Sequence, residues 1–240
     1  GKVMRTMLVS PEYRTQAYYD SAGWRATWQG EGGGVMLNQA PHIIDQFIIL
    51  GGMPSQVYGG TGTVHHRMEV EDLAEALFTY PDGGTGYLYC STFEPRPGQM
   101  IEIYGEKGKL TYRDGRLSIC TYAMPIKEHI AACKGMWESP SFTEQVVEAS
   151  AGDWGHHTII RNLARHILFK EPLVSPGEEG LRSLELANAI WLSAHLKRPV
   201  KLPLSRKAYD TFLAAMRRKW TNRHKVIHAK TETDPQHLKK

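Results

Sequence analysis

The sequence predicts an α+β fold: one large, mostly antiparallel open β-sheet with helices packed on one face. Three observations predict it. Strand-period segments crowd between residues 55 and 122, and the links between them are too short for helical crossovers. Helix-period segments dominate the last third. No βαβ run opens the chain and no internal repeat divides it.

The first strand is predicted at residues 3–10, where Met4, Thr6 and Leu8 alternate against Arg5, Met7 and Val9. Residues 11–31 are a long loop rich in aromatics, a length that a compact domain tolerates chiefly where the loop serves a site. A helix follows over 34–50, offering Val35, Met36, Ile43, Phe47 and Leu50 for burial and stopping at Gly51-Gly52 with Pro54 beyond. Pro41 lies inside it, where it removes the bond to the Leu37 carbonyl and is expected to kink the helix near Asn38. Strands are expected at 55–63, 71–80, 85–93, 99–105, 108–113 and 116–122, punctuated by Pro81–Gly84, Glu106–Gly108 and Asp114-Gly115. Both faces of these strands carry sizeable groups, with Leu73 and Leu77 set against Ala74, Ala76 and Phe78. A partner subunit or another part of the chain is therefore expected to cover the second face. Ile160, Leu163, Ala164, Ile167 and Leu168 mark a helix whose apolar stripe faces inward while Arg161 and Arg165 face out. Ser175-Pro176-Gly177-Glu178 has the pattern of a capping box opening a helix that runs to His195, and Lys207–Trp220 is a final amphipathic helix. The organisation is one domain over residues 1–220 and a polar basic tail over 221–240.

Composition narrows the function classes. The net charge of +4 comes from the end of the chain. Of 29 Lys and Arg and 25 Asp and Glu, the residues from Arg217 onward hold eight and two, which leaves 21 basic and 23 acidic residues before them. A basic tail lacking interleaved aromatics beyond Trp220 is a solvated extension, so no nucleic-acid partner is expected. No apolar run approaches the ~18 residues that span a bilayer, so no membrane partner is expected either. Cys90, Cys120 and Cys133, an odd set without close pairing, suit reduced thiols and a cytoplasmic location.

The chemistry concentrates in Glu31-Gly32-Gly33-Gly34-Val35-Met36-Leu37-Asn38-Gln39-Ala40-Pro41-His42-Ile43-Ile44-Asp45. On a helix Asn38, His42 and Asp45 stand at i, i+4 and i+7 and share one stripe. An amide, an imidazole and a carboxylate on an otherwise apolar helix can line a buried site, with His42 as the proton carrier. The same spacing also suits a core helix whose polar groups bond to neighbouring loops. His65-His66, and His156-His157 with Asp153, are candidate zinc or iron ligands by residue type. Adjacent histidines on a strand point to opposite faces, however, and no His-x-x-x-His or Cys-x-x-Cys supports them, so no metal is expected. Asp72 reads as a structural residue at a strand entry.

Segment 32–45 resembles the Gly-Gly-Gly-x-x-x-(Asp/Asn)-x-x-x-His-x-x-Asp signature of the glucose–fructose oxidoreductase/inositol dehydrogenase family, written Gfo/Idh/MocA. Residues 14–21, Trp24–Trp28, Val70–Ala74, Ile101–Glu106 and 179–190 resemble the same family in its order, so the resemblance spans roughly residues 1–210. It implies the C-terminal substrate-binding and assembly domain of an NAD(P)-dependent oxidoreductase acting on a sugar, polyol or related hydroxy compound. It further implies His42 as the catalytic residue and Asn38, Asp45, Arg14, Tyr18, Trp24 and Arg25 as substrate contacts. Asn38 stands where many relatives have Asp; an amide accepts no proton at neutral pH, so its part is to position. The family's N-terminal Rossmann domain, with its Glu-Lys-Pro lysine, has no counterpart here, and no Gly-x-Gly-x-x-Gly occurs. NAD or NADP is therefore expected to serve the full-length enzyme and not to bind this chain tightly. Homo-oligomer formation through the sheet is implied too, and with it an alternative in which the chain is a non-catalytic dimerisation or scaffold module.

Overall fold

The computed structural model describes residues 1–95, 97–148 and 155–220. The predicted tail over 221–240 and Asp153 lie outside the described residues. Nine strands form a single sheet: β1 (Val3–Pro11), β2 (Gln56–Gly62), β3 (Leu73–Thr79), β4 (Thr85–Ser91), β5 (Met100–Gly105), β6 (Gly108–Arg113), β7 (Arg116–Tyr122), β8 (Phe142–Val147) and β9 (Val200–Lys201). Their order is β8-β7-β6-β5-β1-β4-β3-β2-β9. Every neighbouring pair is antiparallel except β1 with β4.

Among the described residues seven α-helices complete the fold: α1 (Gln16–Tyr19), α2 (Val35–Asn38), α3 (Pro41–Gly51), α4 (Ile126–Ala132), α5 (His156–Phe169), α6 (Gly180–Leu196) and α7 (Arg206–Lys219). The register sets one sheet face: Val57 opposes Phe78, Ala76 opposes Leu88, Leu8 opposes both Leu88 and Ile101, and Thr6 opposes Ile103. All of these are buried. Helices α3 and α6 lie over this face, with Phe47 against Phe78 at 6.0 Å between ring centroids. Glycine at 59 lets α6 sit close, because a Cβ there would come within 2.6 Å of the Ile190 carbonyl oxygen.

The other face carries Tyr58 and Leu77, both about half exposed, and no part of the described chain covers it. Four expectations are corrected. Pro41 does not kink one long helix: it starts a second one, at the position where its missing N–H costs nothing, and Gln39 and Ala40 separate α2 from α3. Leu50 is exposed on α3, while Val35, Met36, Ile43 and Phe47 are buried. The apolar stripe of α5 faces outward: Ile160, Leu163, Ala164, Ile167 and Leu168 are exposed, and the half-buried positions include Asn162 and His166. Their side chains bond the following loop, Asn162 through the Pro172 carbonyl and the Val174 N–H, and His166 through the Glu171 carbonyl. Ser175 caps no helix: a 3-10 turn, Gly177–Glu179, precedes α6. A cap does form at α7, where Ser205 accepts from the Ala208 N–H at 3.3 Å.

Candidate substrate site

The loop between β1 and α2 is built by bonds that reach across the fold. Its start is pinned to the end of β4 and the residue after it by Glu12 N–H to the Ser91 carbonyl at 2.8 Å and Arg14 N–H to the Thr92 carbonyl at 2.7 Å. Tyr19 donates its hydroxyl to Thr92 at 2.8 Å, and the Tyr19 ring packs on His66. His66 Nδ1 lies 3.0 Å from an Asp72 carboxylate oxygen and its Nε2 lies 3.0 Å from the Arg14 carbonyl. Asp72 also accepts from the backbone N–H groups of Val64, His65 and His66. Burial pushes the Asp72 carboxyl up, but these four donors outweigh it and hold the group below the usual carboxylate range. Asp72 is thus structural, as expected. His65 and His66 lie in the loop between β2 and β3, not on a strand. Among the described residues no cluster of metal-ligand type is present.

The glycine run serves close packing. A Cβ on Gly33 would run into the Trp191 ring, and one on Gly34 into the Glu71 carbonyl oxygen. Glu71 is fully buried and lies at the entrance of α2: its carboxylate accepts from Gly34 N–H at 2.9 Å and Met36 N–H at 3.2 Å, and its carbonyl from Val35 N–H at 3.0 Å. Burial outweighs these bonds and pushes its carboxyl up to about 7.

Four of the predicted site residues meet around one ring. Tyr18 donates its hydroxyl to Asn38 Oδ1 at 3.2 Å. The same hydroxyl accepts from Arg25 Nη1 at 2.5 Å and from Gln39 Nε2 at 3.3 Å. Arg25 lies over the Tyr18 ring at 4.3 Å and over Trp24 at 4.6 Å, and Arg14 lies 5.4 Å from the Tyr18 ring centroid. The indole of Trp24 is half exposed. Sequence reasoning missed Glu31: its Oε1 accepts from Asn38 Nδ2 and its Oε2 from the Ala26 N–H at 2.7 Å. Its one legible signal is its place immediately before the glycines. Burial raises the Glu31 carboxyl above the ordinary range, against the pull of the Ala26 N–H and the Arg25 charge.

His42 and Asp45 stand apart from this network. Both are on α3, across the break that Pro41 imposes, so the three-residue stripe is interrupted. His42 is exposed and Asp45 half-buried, and neither side chain makes a hydrogen bond or ion pair among the described residues. His42 is therefore open to solvent at the start of α3.

The loop is held from behind by aromatic packing: Trp28 meets Trp191 of α6 at 6.0 Å and Phe212 of α7 at 5.7 Å. The sequence model of the GFO/IDH/MocA C-terminal domain matches residues 1–111, a span that holds every one of these site residues. Among solved structures, the WlbA dehydrogenase from Bordetella pertussis, in complex with NADH and UDP-GlcNAcA, is 27% identical at a TM-score of 0.64, over 85% of this chain and 56% of its own. The WlbA dehydrogenase from Chromobacterium violaceum, in complex with the same two molecules, is 28% identical at 0.64 with the same coverage. Levoglucosan dehydrogenase in complex with NADH shares the fold at a TM-score of 0.64 and 15% identity. The chain spans little more than half the length of these structures. No curated protein matches it by sequence.

The glycine run does not fit a dinucleotide pyrophosphate. The run Gly32–Gly34 leads into a helix, but that helix is four residues long and its first N–H groups are bonded to Glu71, itself an acid.

Proposed function

We propose that this chain is the substrate-binding domain of an NAD(P)-dependent oxidoreductase that acts on a sugar, polyol or related hydroxy compound. The observation that carries the reading is the joining of Arg14, Tyr18, Arg25 and Asn38 around one ring, with His42 exposed in the first turn of the helix that follows, within the residues that match the GFO/IDH/MocA C-terminal domain. The WlbA dehydrogenases at 27% and 28% identity, crystallised with NADH and UDP-GlcNAcA, support a nucleotide-linked sugar acid as the compound to try first. Within this reading each group has a part. The Arg14 and Arg25 guanidiniums supply positive charge and planar donors suited to a carboxylate or phosphate. Asn38, one of whose amide hydrogens goes to Glu31, keeps a second for a substrate hydroxyl. Trp24 offers a half-exposed indole as a flat wall. His42 exchanges the proton of the reacting hydroxyl, and Asp45, one turn along α3, orients that ring once substrate is in place. Since the dinucleotide does not fit these residues, it belongs to a different part of the enzyme.

The test is His42→Ala in the enzyme with its nucleotide-binding part. A drop in kcat of about 10²-fold or more with an unchanged fold is expected; nearly normal turnover would make His42 structural.

A second reading, an assembly module, is favoured by the uncovered outer sheet face with Tyr58 and Leu77. It predicts that the chain sediments as a dimer or larger, and a monomer at high concentration removes it.

A further inference from the structure

We propose that Glu31 is a positioning residue that fixes the direction of the Asn38 amide, and through it the whole hydrogen-bond chain from Arg25 to the carboxylate. This rests on the substrate-site reading only for its consequence in catalysis, not for its geometry. An asparagine amide can be turned either way about its last bond, with its oxygen and nitrogen exchanged, and a hydroxyl such as that of Tyr18 is satisfied by either orientation. An ionised carboxylate is not: it accepts only. With Glu31 Oε1 at the Asn38 nitrogen, the amide must donate there and must offer its oxygen to Tyr18. The Tyr18 proton is then committed to Asn38, and both lone pairs of its oxygen are committed to Arg25 at 2.5 Å and Gln39 at 3.3 Å. The donations run one way, Arg25 to Tyr18 to Asn38 to Glu31, with a cation at the head and an anion at the tail.

The position of Glu31 is itself held at a cost. Its second oxygen takes the Ala26 N–H at 2.7 Å, and Ala26, fully buried, sits at φ +58, a left-handed conformation unfavourable for a residue with a Cβ. Thr27 closes the turn, donating its hydroxyl to the Trp24 carbonyl at 2.8 Å and accepting the Gly30 N–H at 3.0 Å with the same oxygen. The charge that acts on Glu31 is that of Arg25, at the head of the chain. The raised Glu31 carboxyl agrees with a partly enclosed anion whose main compensation is this network. In this arrangement the amide at position 38 and the acid at position 31 form one unit, so that the amide places and the acid sets the sense.

The decisive measurement is a pH titration of the Asn38 side-chain amide by ¹⁵N–¹H NMR in the unsubstituted 240-residue chain. Its shifts should follow a single ionisation lying above the ordinary glutamate range, and the inflection should vanish in Glu31→Gln. An amide that does not respond, or an inflection that survives Glu31→Gln, overturns the proposal without touching the substrate reading. In the enzyme, Glu31→Gln should weaken kcat/KM by about tenfold through Asn38, so it should add almost nothing on top of Asn38→Ala. Fully additive effects would show that Glu31 acts elsewhere. If Asn38→Ala leaves both kcat and KM unchanged while the amide titration holds, the substrate reading fails and the positioning role stands.

Discussion

Glu71 is the residue whose surroundings run furthest against its ordinary behaviour. It sits fully buried, sharing the entrance of α2 with two glycines that leave no room for a Cβ. Its carboxyl titrates near 7 in the folded chain, against an ordinary value of 4.5. Between those two pH values the folded state keeps a proton that the unfolded state has released, so this group's contribution to stability falls as pH rises through that window. The difference is roughly 3 kcal/mol at 1.36 kcal/mol per unit. Glu71→Gln removes the titration and leaves a constant penalty for one mismatched N–H. Chemical denaturation at pH 5 and pH 7.5 should therefore show a smaller loss of stability with pH in the variant; an identical loss would mean that Glu71 does not ionise in this window. Gly34→Ala belongs to the same place. The new methyl collides with the Glu71 carbonyl, which backbone bonds hold, so the variant should lose several kcal/mol or fail to fold, as a thermal melt would show.

At the scale of elements, the parts legible in the sequence were those whose partners lie nearby along the chain. Strands β2 to β7 announced themselves by alternation between tight turns, and β1 by Thr6 and Leu8 on its buried side. Strand β8 is exposed at all six positions and β9 is two residues long, so neither carries a burial pattern to read. Pro41 was legible as a disturbance, but whether it bends one helix or begins another depends on how the neighbouring turn is satisfied. Likewise α5 shows a strong helical stripe, and periodicity alone cannot say that the stripe faces away from its own sheet. In the site, Arg14, Tyr18 and Arg25 were named through resemblance, and Asn38 first through its spacing from His42 and Asp45. Glu71 was not, because its partners Gly34 and Met36 lie more than 30 positions away. The outer face of β2, β3 and β4 offers a test at this scale. If a second copy seats there, Leu77→Glu, at an exposed position that no described part of its own chain covers, should turn the sedimenting species to monomer while leaving the melting temperature of the monomer nearly unchanged. A variant that stays associated would place the interface elsewhere.

For the whole molecule the question is what this chain can bind alone. A dinucleotide is held mainly through its pyrophosphate, by a glycine turn that lets the backbone approach and by free N–H groups at a helix start. Here the glycine turn exists, but Trp191 and the Glu71 carbonyl fill the space that the missing side chains leave. The N–H groups exist too, but they are bonded to Glu71. Displacing that carboxylate by a pyrophosphate would leave a buried acid without donors, and below pH 7 a neutral one still occupies the space. What remains for a nicotinamide end is peripheral: the half-exposed Trp24 indole and the Arg25 guanidinium beside it. One stacking contact and one cation supply about −4 kcal/mol at most, which corresponds to millimolar affinity. Isothermal titration of the chain with NADH and NADPH should accordingly give no binding tighter than millimolar. Micromolar affinity for either would reveal a dinucleotide site outside the glycine run and would overturn the assignment of the cofactor to another part of the enzyme.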